Sequence, residues 1–385
     1  MISSLLQSLF GGGARTLGGA LPVVSARHPH QRAADTGAGW AALARPTVRH
    51  GVTVYDPKGM PLVLKKDDEV ARGGEGIVYR YAKNANILIK VCKQETLADP
   101  EKMLVFRSRL AAMSALEDCR KAAFLAWPLM PVMDSRGQAI GFVMRRSKGR
   151  TLRALFAPMQ VQRFFPGWNR INVAQVALNV LDAVRMLARH GVLVNDFNPG
   201  NFLVDKTGTV RLIDCDSFQI PVAGREPFMT RTFTPEFCAP ELLLHPENFS
   251  RPRTPEQVRF SLAVVIYMLL MSGLHPYARC GGGDPAENLQ SGKCPLVKAS
   301  GVRMPVSWYK SVSWLTPQLR DCFVRMFVDG FAQPAQRPLL GELHTEIENF
   351  IVVMRTSKNT NQRAILPTAA KRGKHHERLR RRNHP

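Results

Sequence analysis

The chain is short of acids. Thirty Asp and Glu stand against 53 Lys and Arg in 385 residues, a formal net charge of +23. Electrostatics alone makes polyanions its natural partners. It also lacks a cysteine pattern. Cys92, Cys119, Cys215, Cys238, Cys280, Cys294 and Cys322 are scattered, odd in number and never in a CxxC spacing. That argues against a disulfide frame or a zinc site and fits a reducing cytosol, so a cytoplasmic location is expected. No long apolar run is present. The longest, SLAVVIYMLLMSG (Ser261–Gly273), falls short of the ~18 residues of a membrane span and reads as a buried core helix, so no transmembrane segment is expected. Internal repeats are absent too.

Residues 1–50 are poor in acids and superficially like an organelle transit peptide, but they read as a disordered Gly/Ala-rich leader. The other end, from Arg355, holds ten Lys or Arg against a single acid, Glu377. Most such charge runs are solvated tails, although this one offers a surface for nucleic acid or an acidic membrane.

Between these ends, 45% hydrophobic residues can bury a real core. PLVLKK, IVYRYA and NILIKVC are short β-branched runs parted by turn residues. DSRG (Asp134–Gly137) joins AWPLMPVM to AIGFVMRR as a hairpin. From about Asp99 to Leu116 a helix is expected, with Asp99 as cap and Pro100 in the first turn. In INVAQVALNVLDAVRMLARHG, Val173, Val176, Ala177, Val180, Leu181, Val184 and Leu187 share one helical face and Gly191 ends the run. The pattern is a small β-rich part over 62–145, a junction at 146–150 and a larger helical part over 151–350. A tail follows over 351–385.

Three stretches carry chemistry. ARGGEGIVY (Ala71–Tyr79) is glycine-rich between apolar runs; it is either a tight hairpin or a backbone that lets phosphates approach closely. Lys90 lies inside the apolar strand ILIKV. It either snorkels to water or is buried and needs a carboxylate, with Glu101 the better placed candidate and Glu95 the alternative. NDFNPGNFLVDKTGTVRLIDCDS (Asn195–Ser217) sets Asn201 five residues after Asp196 and Asp214 thirteen after Asn201. A hairpin there returns Asp214 beside Asn201, and an amide oxygen with a carboxylate can ligate Mg²⁺. Asp196, one loop away, is then placed to take a proton from an attacking hydroxyl.

The ordered set resembles the eukaryotic-type protein kinase family over roughly residues 62–350. Ala71, Gly73, Gly74, Gly76 and Val78 resemble the glycine loop, with Ala71 at the first glycine. Lys90 resembles the strand lysine and Glu101 its helix partner. Asp196 and Asn201 resemble the catalytic-loop pair, and Asp214 the metal-binding Asp. TPEFCAPE (Thr234–Glu241) is similar to the end of the activation segment, and Arg337 to the late arginine that pairs with its glutamate, here Glu241. More narrowly, GGEGIVY, NPGNFLV and DCDSFQ resemble a bacterial subfamily often linked to helix-hairpin-helix DNA-binding modules, although no such module is visible. The resemblance implies an α+β bilobal protein-kinase-like fold, with a small antiparallel β-rich N-lobe and a larger helical C-lobe. It also implies ATP and Mg²⁺ as cofactors and phosphoryl transfer to Ser/Thr hydroxyls of a protein substrate.

Several positions depart from the family pattern. Asn195 replaces the arginine before the catalytic Asp, so activity independent of activation-loop phosphorylation is expected. Asn198 replaces a lysine that touches the γ-phosphate. Asp216 replaces the DFG glycine and is either a second metal ligand or a solvated turn residue. Val258 stands where the central helix has an Asp bracing the catalytic loop, which leaves a pseudokinase or nucleotide-binding scaffold as an alternative. DFNPGN also resembles the loop of aminoglycoside kinases and keeps a small-molecule kinase open.

Overall fold

The computed structural model describes residues 51–358 except 75, 231 and 305–308, together with Arg363 and Ile365. The leader and most of the basic tail lie outside the described residues. The chain divides into two compact units, up to Ser147 and from Lys148 onward.

The first unit is built on one antiparallel sheet. Its strands are β1 (Val52–Tyr55), β2 (Pro61–Leu64), β3 (Glu69–Arg72), β4 (Gly76–Arg80), β5 (Ile87–Cys92), β6 (Pro128–Met133) and β7 (Ala139–Arg145), in the order β2-β1-β6-β7-β5-β4-β3. The sheet therefore begins ten residues before the β-rich stretch read from sequence, and β3 was not anticipated as a strand. The β6–β7 hairpin forms at the expected turn. Asp134 accepts from the amides of Arg136 at 2.9 Å and Gln138 at 2.8 Å, and Gly137 takes φ +74°. Helix α1 (Pro100–Ala115) starts where capping chemistry dictates, with the Asp99 side chain accepting from the amides of Glu101 and Lys102. One face of the sheet buries Val54, Tyr79, Ile87, Ile89, Val91 and Val143 together with Met103 of α1. Alternation along β5 turns Lys90 to the other face.

The second unit is mainly helical. Its longer helices are α2 (Pro158–Phe164), α3 (Arg170–Arg189), α4 (Pro255–Leu270), α5 (Pro317–Val324) and α6 (Leu340–Thr356). A three-stranded sheet runs in the order β10-β9-β8, from β8 (Arg150–Thr151), β9 (Phe202–Val204) and β10 (Val210–Leu212). All seven face residues expected of α3 are buried, and an Asn169–Asn172 capping box opens the helix. α3 has the length and hydropathy to cross a membrane, yet 56% of that window is buried inside the protein, as in a core helix. α4 contains most of the apolar run near 261–273. It is buried nearly all round, which is the mark of a central helix. α6 continues to Thr356, six residues into the stretch read from sequence as tail.

Candidate active site

Within the strand unit, Lys90 is half-buried and stands opposite Val78 on β4 and Phe142 on β7. Residues directly paired across antiparallel strands share a face. Gly76 belongs to the same face, since a Cβ there would meet the Lys90 side chain at 3.2 Å. Ala71 pairs with Val78, so the glycine-rich turn closes the β3–β4 hairpin at the end of this row. Gly73 and Gly74 form the turn between β3 and β4, closed by a 2.9 Å bond from the Gly73 amide to the Gly76 carbonyl. Gly141 on β7 has no room for a side chain: a Cβ would lie 2.2 Å from the Lys90 carbonyl oxygen.

The expected Lys90–Glu101 pair is not formed. Glu101 is exposed in the first turn of α1, and its carboxylate has no ion pair among the described residues. The helix phase is the reason. Capping at Asp99 fixes the register, and Met103, Leu110 and Met113 take the buried positions. Glu95 is likewise exposed, in the short helix Gln94–Leu97.

In the helical unit, Asp196 follows the buried Val192, Leu193 and Val194. One carboxylate oxygen accepts from the Thr234 hydroxyl at 2.7 Å and from the Asn198 amide at 3.1 Å. Burial raises its pKa above the ordinary value and the Asp214 charge adds to this, while the two hydrogen bonds oppose it. Asn201 ends the turn Pro199–Asn201 and leads into β9. The β9–β10 hairpin pairs Phe202 with Leu212, and the Ile213 amide bonds the Asn201 carbonyl at 2.9 Å. Asn201 and Asp214 are therefore brought to one end of the hairpin. Asp214 adopts φ +58° and ψ +37°, a left-handed conformation that costs a non-glycine residue about 1–3 kcal/mol and concentrates at functional sites.

Asn201 and Asp214 supply hard oxygen donors of the kind Mg²⁺ prefers. No group of three or more His, Cys, Asp or Glu suited to a metal occurs among the described residues. The pair thus fits an ion that draws the rest of its shell from phosphate and water. Asp216 lies in the 3₁₀ turn Cys215–Ser217, directly after Asp214 and outside any strand.

Two features escaped the sequence. Asn195, in place of an arginine, donates to the Thr230 hydroxyl at 3.2 Å and the Ser217 carbonyl at 3.3 Å, and Thr230 also donates to Ser217 at 2.6 Å. This neutral knot ties the Asp196 loop to the segment after Asp214. Gln219 supplies bracing that Val258 cannot. Its backbone pairs with Leu193 at 2.8 and 3.1 Å, while its side chain accepts from the Arg253 amide at 2.7 Å and donates to the Arg253 carbonyl at 3.2 Å. Arg253 immediately precedes the Thr254 cap of α4, so the central helix holds the loop through Gln219.

Glu241 and Arg337 meet in a bidentate pair at 2.7 and 2.8 Å. The buried guanidinium also donates to the Gly330 and Glu256 carbonyls and lies over the Phe260 ring. All three guanidinium nitrogens donate and four of the five N–H groups are used, which favours a buried pair.

Comparison with known proteins bears on this arrangement. Residues 129–314 match the protein kinase domain family. The chain is 29% identical to protein kinase YegI of Escherichia coli K12 over 212 residues, 54% of this chain and 32% of that protein. It is 28% identical over 98 residues to the chloroplastic serine/threonine-protein kinase STN8 of Arabidopsis thaliana, 25% of this chain and 20% of that protein. The chain thus spans a third or less of the length of these relatives. The ROP18 kinase domain, solved with AMP-PNP and sucrose, superposes with a TM-score of 0.50 at 17% identity, covering 78% of this chain and 84% of that one. The fold is kinase-like: a curled antiparallel sheet unit and a helical unit. The link to helix-hairpin-helix proteins has no support in these likenesses.

Proposed function

We propose that the protein is an ATP-dependent protein kinase that phosphorylates Ser or Thr hydroxyls without requiring phosphate on its activation segment. The observation that carries this reading is the Asp196 carboxylate. It is held by Thr234 and the Asn198 amide on the loop that leads to Asn201 and the strained Asp214. In this reading Asp196 orients the acceptor hydroxyl and takes its proton. Asn201 and Asp214 would hold Mg²⁺, which when bound neutralises charge on the phosphates. Within the strand unit, Lys90 and the glycine-rich turn near Gly73 and Gly74 are the groups suited to hold phosphates.

Independence from phosphorylation is supported by Asn195. An arginine there would need an anion, whereas the amide is already hydrogen-bonded to Thr230 and Ser217. A nucleotide-binding scaffold is the second reading, favoured by Val258 standing where the family pattern has a bracing Asp.

Labelled ATP separates the two. Transfer to the protein itself or to a generic basic substrate is expected, abolished by Asp196→Ala and Asp214→Ala and retained when Thr230, Thr232 and Thr234 have been freed of phosphate by a phosphatase. ATP binding without transfer establishes the scaffold. Label reaching only small hydroxylated molecules establishes a small-molecule kinase.

A further inference from the structure

Position 198 is uncharged, yet a cation is bonded to it. The Asn198 side-chain oxygen accepts from the Gly200 amide at 2.9 Å and from an Arg153 Nη at 2.9 Å. Arg153 belongs to the 3₁₀ turn Leu152–Leu155, in which Leu152, Ala154 and Leu155 are all buried. That packing fixes the turn and leaves Arg153 as its exposed side chain. The guanidinium has no carboxylate partner among the described residues. Asn198 in turn donates its amide to the Asp196 carboxylate at 3.1 Å. A single residue therefore links an uncompensated positive charge to the proposed base.

We infer that Arg153 faces the phosphoryl group in transfer and supplies the positive charge that position 198 lacks. The inference rests on the kinase reading above. In the transfer, the bond from the γ-phosphorus to the β,γ-bridging oxygen breaks and its electron pair leaves with ADP. A bond forms from the acceptor oxygen to the phosphorus, and the acceptor proton passes to Asp196. Negative charge spreads over the three equatorial oxygens of the moving group. A guanidinium has five N–H donors in a planar fork, so with one donor given to Asn198 the others can reach two of those oxygens. Asn198 positions the fork. A lysine at 198 would carry the charge on the loop itself; this chain divides anchor and charge between two elements.

The test uses the full chain with Arg153→Ala, Arg153→Lys and Arg153→Ala combined with Asn198→Lys. Two readouts are needed: kcat and KM for both substrates, and the ratio of ATP to ADP affinity by calorimetry. Arg153→Ala should lower kcat about 100-fold, the loss typical of removing one electrostatic contact to the transition state. It should also reduce the preference for ATP over ADP by about tenfold, as for a lost charge-assisted hydrogen bond. Arg153→Lys should retain part of kcat, and Asn198→Lys should restore part of it in the Ala background. An unchanged kcat with an unchanged affinity ratio overturns the inference, as does a loss confined to KM for an acidic acceptor, which would make Arg153 a reader of the acceptor. If the wild type binds nucleotide without transferring phosphate, the kinase reading fails and the affinity ratio alone decides the role of Arg153. If the wild type binds neither nucleotide, both fall.

Discussion

If Asp196 is the base, as proposed, its protonation would set the working range of the site: a base must be ionised, so activity would exist above its pKa and be lost as pH falls through it. Burial raises that pKa from the ordinary carboxylate value, while the Thr234 hydroxyl, by donating to the ionised form, pulls it down. Thr234→Val removes the donor. The acidic limb of kcat/KM should then move to higher pH, with activity near that limb falling several-fold and activity well above it less affected. A limb that stays in place would show that Thr234 does not stabilise the carboxylate. At this scale the sequence was partly legible. Asp196, Asn201 and Asp214 stand at turns bounded by apolar runs, and spacing alone brings two of them to one hairpin end. Arg153 and Gln219 were not legible. Their bonds reach positions 45 and 34 residues away, and no local pattern records such a reach. Glu101 does not meet Lys90 although the Asp99 cap was legible: the cap fixes where the helix starts, while the face that packs inward is set by Met103, Leu110 and Met113.

Among the elements, the Asp196 loop depends on α4 through a side-chain amide. Gln219→Leu keeps the backbone pairing with Leu193 but leaves the Arg253 amide and carbonyl without their partners. An unsatisfied buried backbone group costs about 1–3 kcal/mol. The expected result is a lower denaturation midpoint by that order and at least a tenfold lower kcat with ATP affinity nearly unchanged. Wild-type kcat in the variant would mean that the loop is held elsewhere. Hairpins read well from sequence because turn residues carry their own chemistry: Asp134 with Gly137, and Asp205, which accepts from the Thr207 amide before Gly208 at φ +85°. β1 and β3 read poorly. Each is four residues long, and β3 buries none of its side chains, so it carries no alternation to detect and exists because β4 offers it a partner.

For the molecule as a whole, His275 makes stability depend on acidity. It is buried, and the Tyr277 amide donates to Nδ1 at 3.2 Å, so the ring proton sits on Nε2 and donates to the Glu236 carbonyl at 2.7 Å. Burial lowers the pKa to about 4. The unfolded chain therefore takes up the proton first as pH falls. Stability from this group is complete above about 6.5 and is lost progressively toward about 4, a total of roughly 3 kcal/mol. Urea midpoints followed across that window should fall, and His275→Asn should flatten the slope while lowering the plateau. A wild-type slope equal to that of the variant would rule out this source. The two-part division was legible from the change of period from strands to helices. The outcome at the chain ends lies outside the described residues.

Among the seven thiols, six are buried and Cys280 alone is exposed. Burial pushes Cys119 and Cys322 up to about 11 and Cys238 and Cys294 up to about 12, so little thiolate forms at neutral pH. A maleimide dye offered to the native protein therefore has one address, on the loop before the short helix Pro285–Gln290. Each further dye attached counts a piece of the interior that has opened.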